Sequence, residues 1–178
     1  MQNAGDPMVP QTEWMLSYAP KQPFTIAETF QLNVERERFR KRLGDHWNST
    51  ALRTSSGRAV DVVLSPVAPT LAPPHDTTRW WGYTSYWNLA DYPGAVFPVG
   101  SHRAHRADVV NGVNGLAHVP PPRNAVEEFV RAQWDEKSYD NAPVSLQVVG
   151  RRLNEEKVLR ALNLVEEAIQ AQHNKEFS

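Results

Sequence analysis

Three residues of the hydrolytic type occur close together in the first half of the chain: Asp61, Ser65 and His75. A carboxylate, a histidine and a serine can form an acyl-transfer triad in which the histidine takes the serine proton. Ser65, however, stands directly before Pro66 in an extended segment, whereas a nucleophile elbow needs a sharp turn between a strand and a helix. Asp61 opens the same segment, where a capping or solvent-facing role is expected. The pattern therefore does not favour a triad here.

His102, His105 and Asp108 have a spacing that could meet one metal ion from one face of a helix. The segment 100–112 that carries them is polar, basic and bounded by glycines, which is typical of an exposed loop. Histidines in such loops are mostly solvated. We therefore expect no metal site in this segment.

Serines and lysines are the other residues that could act on an acyl group. The serine-rich run 54–57 stands between a predicted helix and a predicted strand, as a flexible connector does. A lysine becomes a base when a buried apolar setting lowers its pKa. None of the lysines has such a setting in the sequence; they are Lys21, Lys41, Lys137, Lys157 and Lys175. No catalytic residue is predicted.

The densest cluster of aromatic side chains lies in the stretch 83–99, YTSYWNLADYPGAVFPV. Thr84 or Ser85 is expected to cap a short helix that runs to Tyr92, because Pro93 cannot continue it comfortably. A strand over 95–99 follows, and Pro98 is expected to lie near a sheet edge or a bulge. This helix and strand would position the side chains of Tyr83, Thr84 and Trp87.

The elements around this stretch follow from caps and hydrophobic periodicity. A capping box of Thr25 and Glu28 opens a helix to about Trp47, and Asn124 and Asn154 begin two later ones. The predicted helices span 25–47, 124–134 and 154–170, the other strands 60–64 and 144–149, and irregular segments 1–23, 48–58, 66–76 and 100–123. This order predicts an α/β layer of helices on a small sheet whose edges are exposed.

Composition excludes several classes of function. The chain has 178 residues, enough for one domain, with 19 basic and 20 acidic residues and a formal net charge of -1. Since there is no basic field to neutralise phosphates, no nucleic-acid partner is expected. The absence of cysteine excludes disulfides and cysteine-bound zinc. No apolar run reaches membrane-spanning length and no signal segment is recognised, so a cytoplasmic protein is expected.

Three stretches, 60–66, 83–99 and 142–150, together resemble the C-terminal part of amidase-signature hydrolases, especially the fungal acetamidase-like branch. The resemblance covers nearly the whole chain. It implies an α/β fold with a partial mixed β-sheet flanked by helices. It also implies one partial amidase domain over 1–178, with 1–23 as an irregular lead-in and 24–178 as the C-terminal α/β portion.

The resemblance also implies a chemistry. Members of this family hydrolyse carboxylic amides without metal or organic cofactor, through a serine, a second serine on a cis peptide and a lysine, with a glycine- and serine-rich loop that binds the oxyanion. These elements precede the region that the chain resembles, so the chain is expected to be inactive alone. The implied partners are a small-molecule amide and an N-terminal amidase half.

Five positions match the family's pattern. Tyr83, Thr84 and Trp87 resemble residues that line the acyl pocket, although core packing would equally explain the aromatic ones. Asn88 and Pro93 match a structural motif ahead of the strand, with Gly94 as an added glycine. The alternative reading is a non-catalytic protein that binds a small ligand or docks on a partner. A metal-binding module with His102 and His105 is a further rival.

Overall fold

The structure is a computed structural model, and it describes residue 5 and residues 7–103, 120–135 and 137–176, with side chains to residue 172. The helices and strands follow in the order α1 Pro10–Ser17, α2 Ile26–Ser49, a 3-10 helix Thr50–Arg53, β1 Val62–Pro66, α3 Gly82–Ala90, β2 Gly94–Ser101, α4 Ala125–Ala132, β3 Pro143–Gly150 and α5 Glu155–Glu176. The chain divides into two compact units, one made of Met1–Val60 with Pro74–Thr78 and one of Asp61–Pro73 with Arg79–Ser178.

The first unit contains a short helix where the sequence predicts an irregular lead-in. Pro10 occupies the first turn of α1, where its fixed φ suits a helix and its missing N–H is not needed. No further proline follows until Pro20, so the chain has room for two turns. The Gln11 side chain donates to the Thr78 carbonyl oxygen at 2.7 Å. The prediction of a wholly irregular segment 1–23 was therefore wrong.

The long helix α2 begins as predicted. The Glu28 N–H donates to the Thr25 hydroxyl at 3.2 Å, and the Glu28 carboxylate accepts from the Thr25 N–H at 2.8 Å. The bond from the Thr25 N–H, and after it the bond from the Thr25 hydroxyl to the same carboxylate at 2.7 Å, lower the pKa of Glu28. At the other end, buried Trp47 donates its indole N–H to the Val60 carbonyl at 2.7 Å. The predicted loop 48–58 begins only after the 3-10 helix, since the helical backbone continues through Ser49 and Arg53.

The second unit is built on a three-stranded sheet in the order β1-β3-β2. Both pairings are antiparallel, with Val62 opposite Gly150 and Gly94 opposite Val149. The expected partial sheet with helices around it is confirmed. Its three described strands are all antiparallel, so the sheet would be mixed only if a further strand joined it in parallel. β1 begins two residues later than predicted because its first partner, Gly150, is the last residue of β3.

One face of the sheet packs on α5 and forms the core of the second unit. Phe97, Val148 and Val158 are its buried centre, at 2%, 0% and 3% exposure. Around them pack partly buried apolar residues: Val62, Ala95, Val99, Leu146, Ala161, Leu162, Val165 and Ile169. The apolar stripe predicted for the last helix thus packs against the sheet. Such burial contributes a stabilising free energy of roughly 25 cal/mol for each Å² of apolar surface removed from water. α5 runs to Glu176, beyond the predicted end, because no glycine or proline interrupts residues 171–176.

Pro98 lies on β2, which is an edge strand of the described sheet. The register against β3 shifts between Pro98 and Gly100, which marks a bulge. Proline has no N–H to give to a ladder, so it is tolerated at such a position. The prediction of an edge or bulge at Pro98 is confirmed.

Candidate functional site

The candidate site begins at α3, whose N-cap Trp81 lies three residues before Thr84 and four before Ser85, the two predicted caps. The N–H groups of Thr84 and Ser85 donate to the Trp81 carbonyl at 3.0 Å and 2.8 Å, so Trp81 is the N-cap residue. The indole of Trp80 lies so close to Gly82 that a Cβ there would collide with its ring. Trp80 also meets the Tyr83 ring edge to face at 4.9 Å. The helix therefore begins at a glycine because the Trp80 ring occupies the space that a side chain at position 82 would need. Residue preferences at helix caps do not predict such a contact.

Tyr83 lines an apolar cavity of about 910 Å³ in the second unit. The walls are the proline-rich segment 66–73 on one side and Tyr83 with Val96 on another. β3 contributes residues 143–146, and the proline run 120–122 and α4 complete the lining. Three of the eight residues in 66–73 are prolines, which have no N–H to give to a ladder, and only Pro66 belongs to a strand. The volume and the apolar lining suit a ligand larger than a few heavy atoms.

Charged groups hold the α4 wall. Asn124 accepts from the Glu127 N–H at 2.9 Å as the helix cap. Glu127 accepts from the N–H and the side chain of Arg123 and from Arg131, and these bonds, the Arg123 N–H first, lower the pKa of Glu127 to about 2. Arg131 also donates to the Pro120 carbonyl at 2.5 Å. The cluster ties the proline run to α4, and of its members only Arg131 is among the residues lining the cavity.

An aromatic stack lies behind the cavity. Trp134 lines the cavity and stacks on Tyr139 with 5.2 Å between ring centroids, and His102 meets Trp134 edge to face at 5.3 Å. Tyr139 is only 1% exposed. Within the described ranges, neither the Tyr139 hydroxyl nor His102 Nε2 has a hydrogen-bond partner. The Trp134 ring thus contacts two aromatic rings, while the backbone N–H of Trp134 donates to the Arg131 carbonyl at 3.2 Å.

A second, smaller cavity of about 380 Å³ lies at the other end of α3. Asp91 ends the helix in the left-handed conformation, with a φ of 63°, and the Tyr92 N–H donates to the Trp87 carbonyl at 3.1 Å. Trp87 stacks on Tyr92 with 6.1 Å between centroids. Arg152 pairs with Asp91 at 2.8 Å across this cavity. Its lining is therefore more polar than that of the larger cavity.

The residues predicted from the sequence divide between these places. Tyr83 lines the larger cavity, whereas Trp87, Asn88 and Pro93 line the smaller one. The Thr84 hydroxyl donates to the Trp81 carbonyl at 3.1 Å, so it supports the start of α3. The geometry thus brings Trp87 together with the motif residues and separates it from Tyr83.

The residue sets that the sequence did not favour show ordinary structural contacts. Lys157 pairs with Asp61 at 2.9 Å, and the Ser65 hydroxyl donates to the Pro66 carbonyl at 3.3 Å. The run 54–57 forms a turn in which Gly57 has a φ of 67° and donates to the Thr54 carbonyl. His105 and Asp108 lie outside the described residues. Across the described part of the chain, no three potential metal ligands of the His, Cys, Asp or Glu type come together.

Gln147 is the residue that sequence reasoning missed. It is the only buried polar side chain among the described residues, at 4% exposure, in a strand whose neighbours Val148 and Val149 are fully buried. Its Nε2 donates to the Pro66 carbonyl at 2.7 Å and to the Tyr83 carbonyl at 3.1 Å. A glutamine inside an apolar strand run was a signal in the sequence, because a buried amide needs polar partners.

Comparison with known proteins identifies the family to which this fold belongs. The Amidase family model matches residues 8–159. The chain therefore belongs to the Amidase family. None of the helices in the described ranges combines the length and the apolar character needed to cross a bilayer.

Several relatives are amidases of fungi. Amidase 2 of Gibberella moniliformis is 36% identical over 86% of this chain, and an amidase of Gibberella zeae is 30% identical over 96% of it. An acetamidase of Aspergillus oryzae is 30% identical over 88%. A solved structure of fatty acid amide hydrolase is similar with a TM-score of 0.78, at 26% identity over 92% of this chain.

The chain spans less than a third of these relatives. It covers 28% of Amidase 2, 31% of the Gibberella zeae amidase and 27% of the fatty acid amide hydrolase chain. The resemblance that the sequence motifs carry is thus confirmed at the level of family and fold.

Proposed function

We propose that these residues form the C-terminal part of an amidase that hydrolyses a carboxylic amide to an acid and ammonia or an amine. The chain supplies a wall of the acyl site rather than the reacting groups. The observation that carries this proposal is the apolar cavity between Tyr83 and the segment 66–73 in a chain of the Amidase family. Such a cavity with few polar groups suits an acyl or aryl group.

The reacting groups of the proposed enzyme belong to a segment that this chain does not resemble. Lys41 and Lys157 are bound to Asp45 and Asp61, at 2.6 Å and 2.9 Å, with both lysine side chains partly or largely exposed. Both lysines therefore form surface ion pairs and lack the buried apolar setting that a lysine base needs. We therefore propose that the chain is inactive by itself. The family resemblance further implies that the complete enzyme needs no metal or organic cofactor.

The acyl-facing segment is proposed to be the α3 residues Tyr83, Thr84 and Trp87. Tyr83 would touch the acyl group, because it lines the larger cavity. Thr84 supports the helix start, and Trp87 with Asn88 and Pro93 shapes the smaller cavity. The two compact units are proposed to belong to one partial amidase domain in a cytoplasmic enzyme, with an N-terminal amidase portion as partner.

The alternative is a non-catalytic protein that binds a small ligand or docks on a partner. One observation favours keeping it: the described residues form the larger cavity without any other chain. A ligand could therefore bind there without being hydrolysed.

The experiment is a chimera in which the chain replaces the matching part of Amidase 2 of Gibberella moniliformis. Tyr83→Ala removes a ring from the cavity wall, so the preference in kcat/KM should move toward longer acyl chains by on the order of tenfold. Trp87→Ala is the matched variant on the same helix. A preference that follows Trp87 instead would assign the acyl group to the smaller cavity. If the chimera is active and neither substitution changes its acyl-chain preference, the proposal that this chain forms a wall of the acyl site is wrong.

A further inference from the structure

The two walls of the larger cavity are joined by one side chain. The segment 66–73 begins at Pro66, and the α3 wall consists of Tyr83. Gln147 donates to the main-chain carbonyl of both residues, which lie 81 and 64 positions away in sequence. It follows directly on Leu146, which lines the same cavity.

The chemistry of the amide fixes its orientation. Both neighbours are carbonyl oxygens, which only accept hydrogen bonds, so the NH₂ end of the side chain must face them. An NH₂ group has two hydrogens and can serve both acceptors at once. No apolar residue and no ionised carboxylate of the same length could do so.

The position of Gln147 makes this bridge costly to replace. The side chain is 4% exposed and lies between apolar strand residues, where an amide without partners costs free energy. Removing the side chain would leave the Pro66 carbonyl on one wall and the Tyr83 carbonyl on the other without this hydrogen bond. The segment 66–73 is rich in proline and offers few N–H groups of its own to hold it in place.

We propose that Gln147 is a positioning residue that sets the spacing between Tyr83 and the segment 66–73, and thereby the size of the apolar group that the cavity accepts. The proposal rests on the proposed acyl site. It assigns to Gln147 no contact with the reacting atoms. A side chain of the same length without the NH₂ group should remove the hydrogen bonds to Pro66 and Tyr83 at the same time and so change the distance between the two walls.

A merely stabilising role would give a different result. If Gln147 only contributed to the fold, its substitution would act like any other core substitution in β3. Val148→Ala is the matched control, because Val148 is the fully buried neighbour whose contacts lie in the core with Phe97 and Val158. That substitution should lower the unfolding midpoint without moving Tyr83 relative to Pro66.

The first measurement uses the full chain with 3-fluorotyrosine and needs no ligand. In Gln147→Met the ¹⁹F resonance of Tyr83 should shift or broaden, whereas in Val148→Ala it should stay as in the unsubstituted chain. A resonance that is unchanged in folded Gln147→Met overturns the proposal. If Gln147→Met does not fold, Gln147→Glu takes its place.

Gln147→Glu adds a pH dependence that a packing effect lacks. An ionised carboxylate cannot donate to the two carbonyls, but the protonated acid can donate to one of them. The Tyr83 resonance should therefore return toward its original position as the pH falls through the pKa of the new carboxyl, and the unsubstituted chain should show no such step. A displacement that is independent of pH would overturn the proposal.

The second measurement separates this proposal from the proposed function. Acetamide, hexanamide and decanamide are titrated into the chain, and the affinity is expected to rise with chain length in the unsubstituted protein. The ratio of the decanamide affinity to the hexanamide affinity should differ between Gln147→Met and the unsubstituted protein by on the order of tenfold. That factor corresponds to the free energy of about one hydrogen bond. If Tyr83 moves but no amide binds, the bridge stands and the acyl site fails. If amides bind alike to both variants and Tyr83 stays in place, the bridge fails and the acyl site stands.

Discussion

At the scale of single residues, Glu127 has the largest pKa shift among the groups that the structure describes. The hydrogen bond from the Arg123 N–H is its main cause, followed by the side chain of Arg123 and then of Arg131. Because these bonds lower the pKa from 4.5 to about 2, the native state binds the proton less readily than the unfolded chain. The stabilisation is therefore present above about pH 4.5 and is lost as the pH falls toward 2.

This linkage predicts the behaviour of α4 in acid. An NMR titration of the Glu127 carboxyl carbon should give a midpoint near pH 2, and the amide protons of α4 should lose protection over the same range. In Glu127→Gln the protection should be lower at neutral pH and flat from pH 4.5 to 2. Glu128→Gln, which alters an exposed carboxylate of the same helix, is the control and should retain the transition. A Glu127 midpoint near 4.5 would contradict the cluster.

At the scale of elements, two glycines should respond in opposite directions to alanine. A Cβ at Gly150 would lie 2.5 Å from Cγ2 of Val158, a side chain that is 3% exposed where β3 meets α5. Gly150→Ala should therefore destabilise the second unit by about 1–3 kcal/mol. Gly44 lies within α2 with nothing within 4 Å of its Cβ position, so Gly44→Ala should stabilise that helix by about 0.5–1 kcal/mol.

Hydrogen exchange read element by element measures both effects. Faster exchange in β3 and α5 is expected for Gly150→Ala, and slower exchange in α2 for Gly44→Ala. Equal effects of the two substitutions would show that the contact between β3 and α5 is looser than the distances imply.

The elements also show what the sequence could predict. Caps and periodicity located α2, α4 and α5, and the Pro98 bulge followed from the missing N–H of proline. The start of α3 depends on the Trp80 ring over Gly82, a contact between side chains that no propensity contains. The short helix α1 was missed because prolines at 7, 10, 20 and 23 indicate breaks without excluding one helix between them.

The candidate site was predicted only in part for a similar reason. Tyr83 and Trp87 are four residues apart on one helix, yet they line different cavities. The larger cavity depends on the return of segments 66–73 and 143–146 to the same place, which is a matter of tertiary structure. Gln147 was visible as a polar residue in an apolar strand, but its partners lie more than sixty residues away.

At the scale of the whole molecule, much apolar surface stays in contact with water. Ile26 and Phe30 on α2 are 77% and 66% exposed, and Leu64 and Val96 on the two edge strands are 52% and 58% exposed. Exposed strand edges and apolar patches are the usual sites of association. The relatives that the chain matches are more than three times as long, so they have further elements that could cover such surfaces.

The central claim is that this chain contributes a substrate wall and not the chemistry of an amidase. It is tested by the amide hydrolysis of three purified proteins: the chain itself, the part of Amidase 2 that precedes the matched region, and a fusion of the two. Acetamide, benzamide and a chromogenic anilide are the substrates. We predict turnover by the fusion, because it holds the nucleophile and the acyl wall in one molecule. We predict none above buffer by either part alone, because each part lacks one of the two. Hydrolysis by the chain alone that Ser145→Ala or Ser65→Ala abolishes, or a folded fusion without any turnover, would contradict the claim.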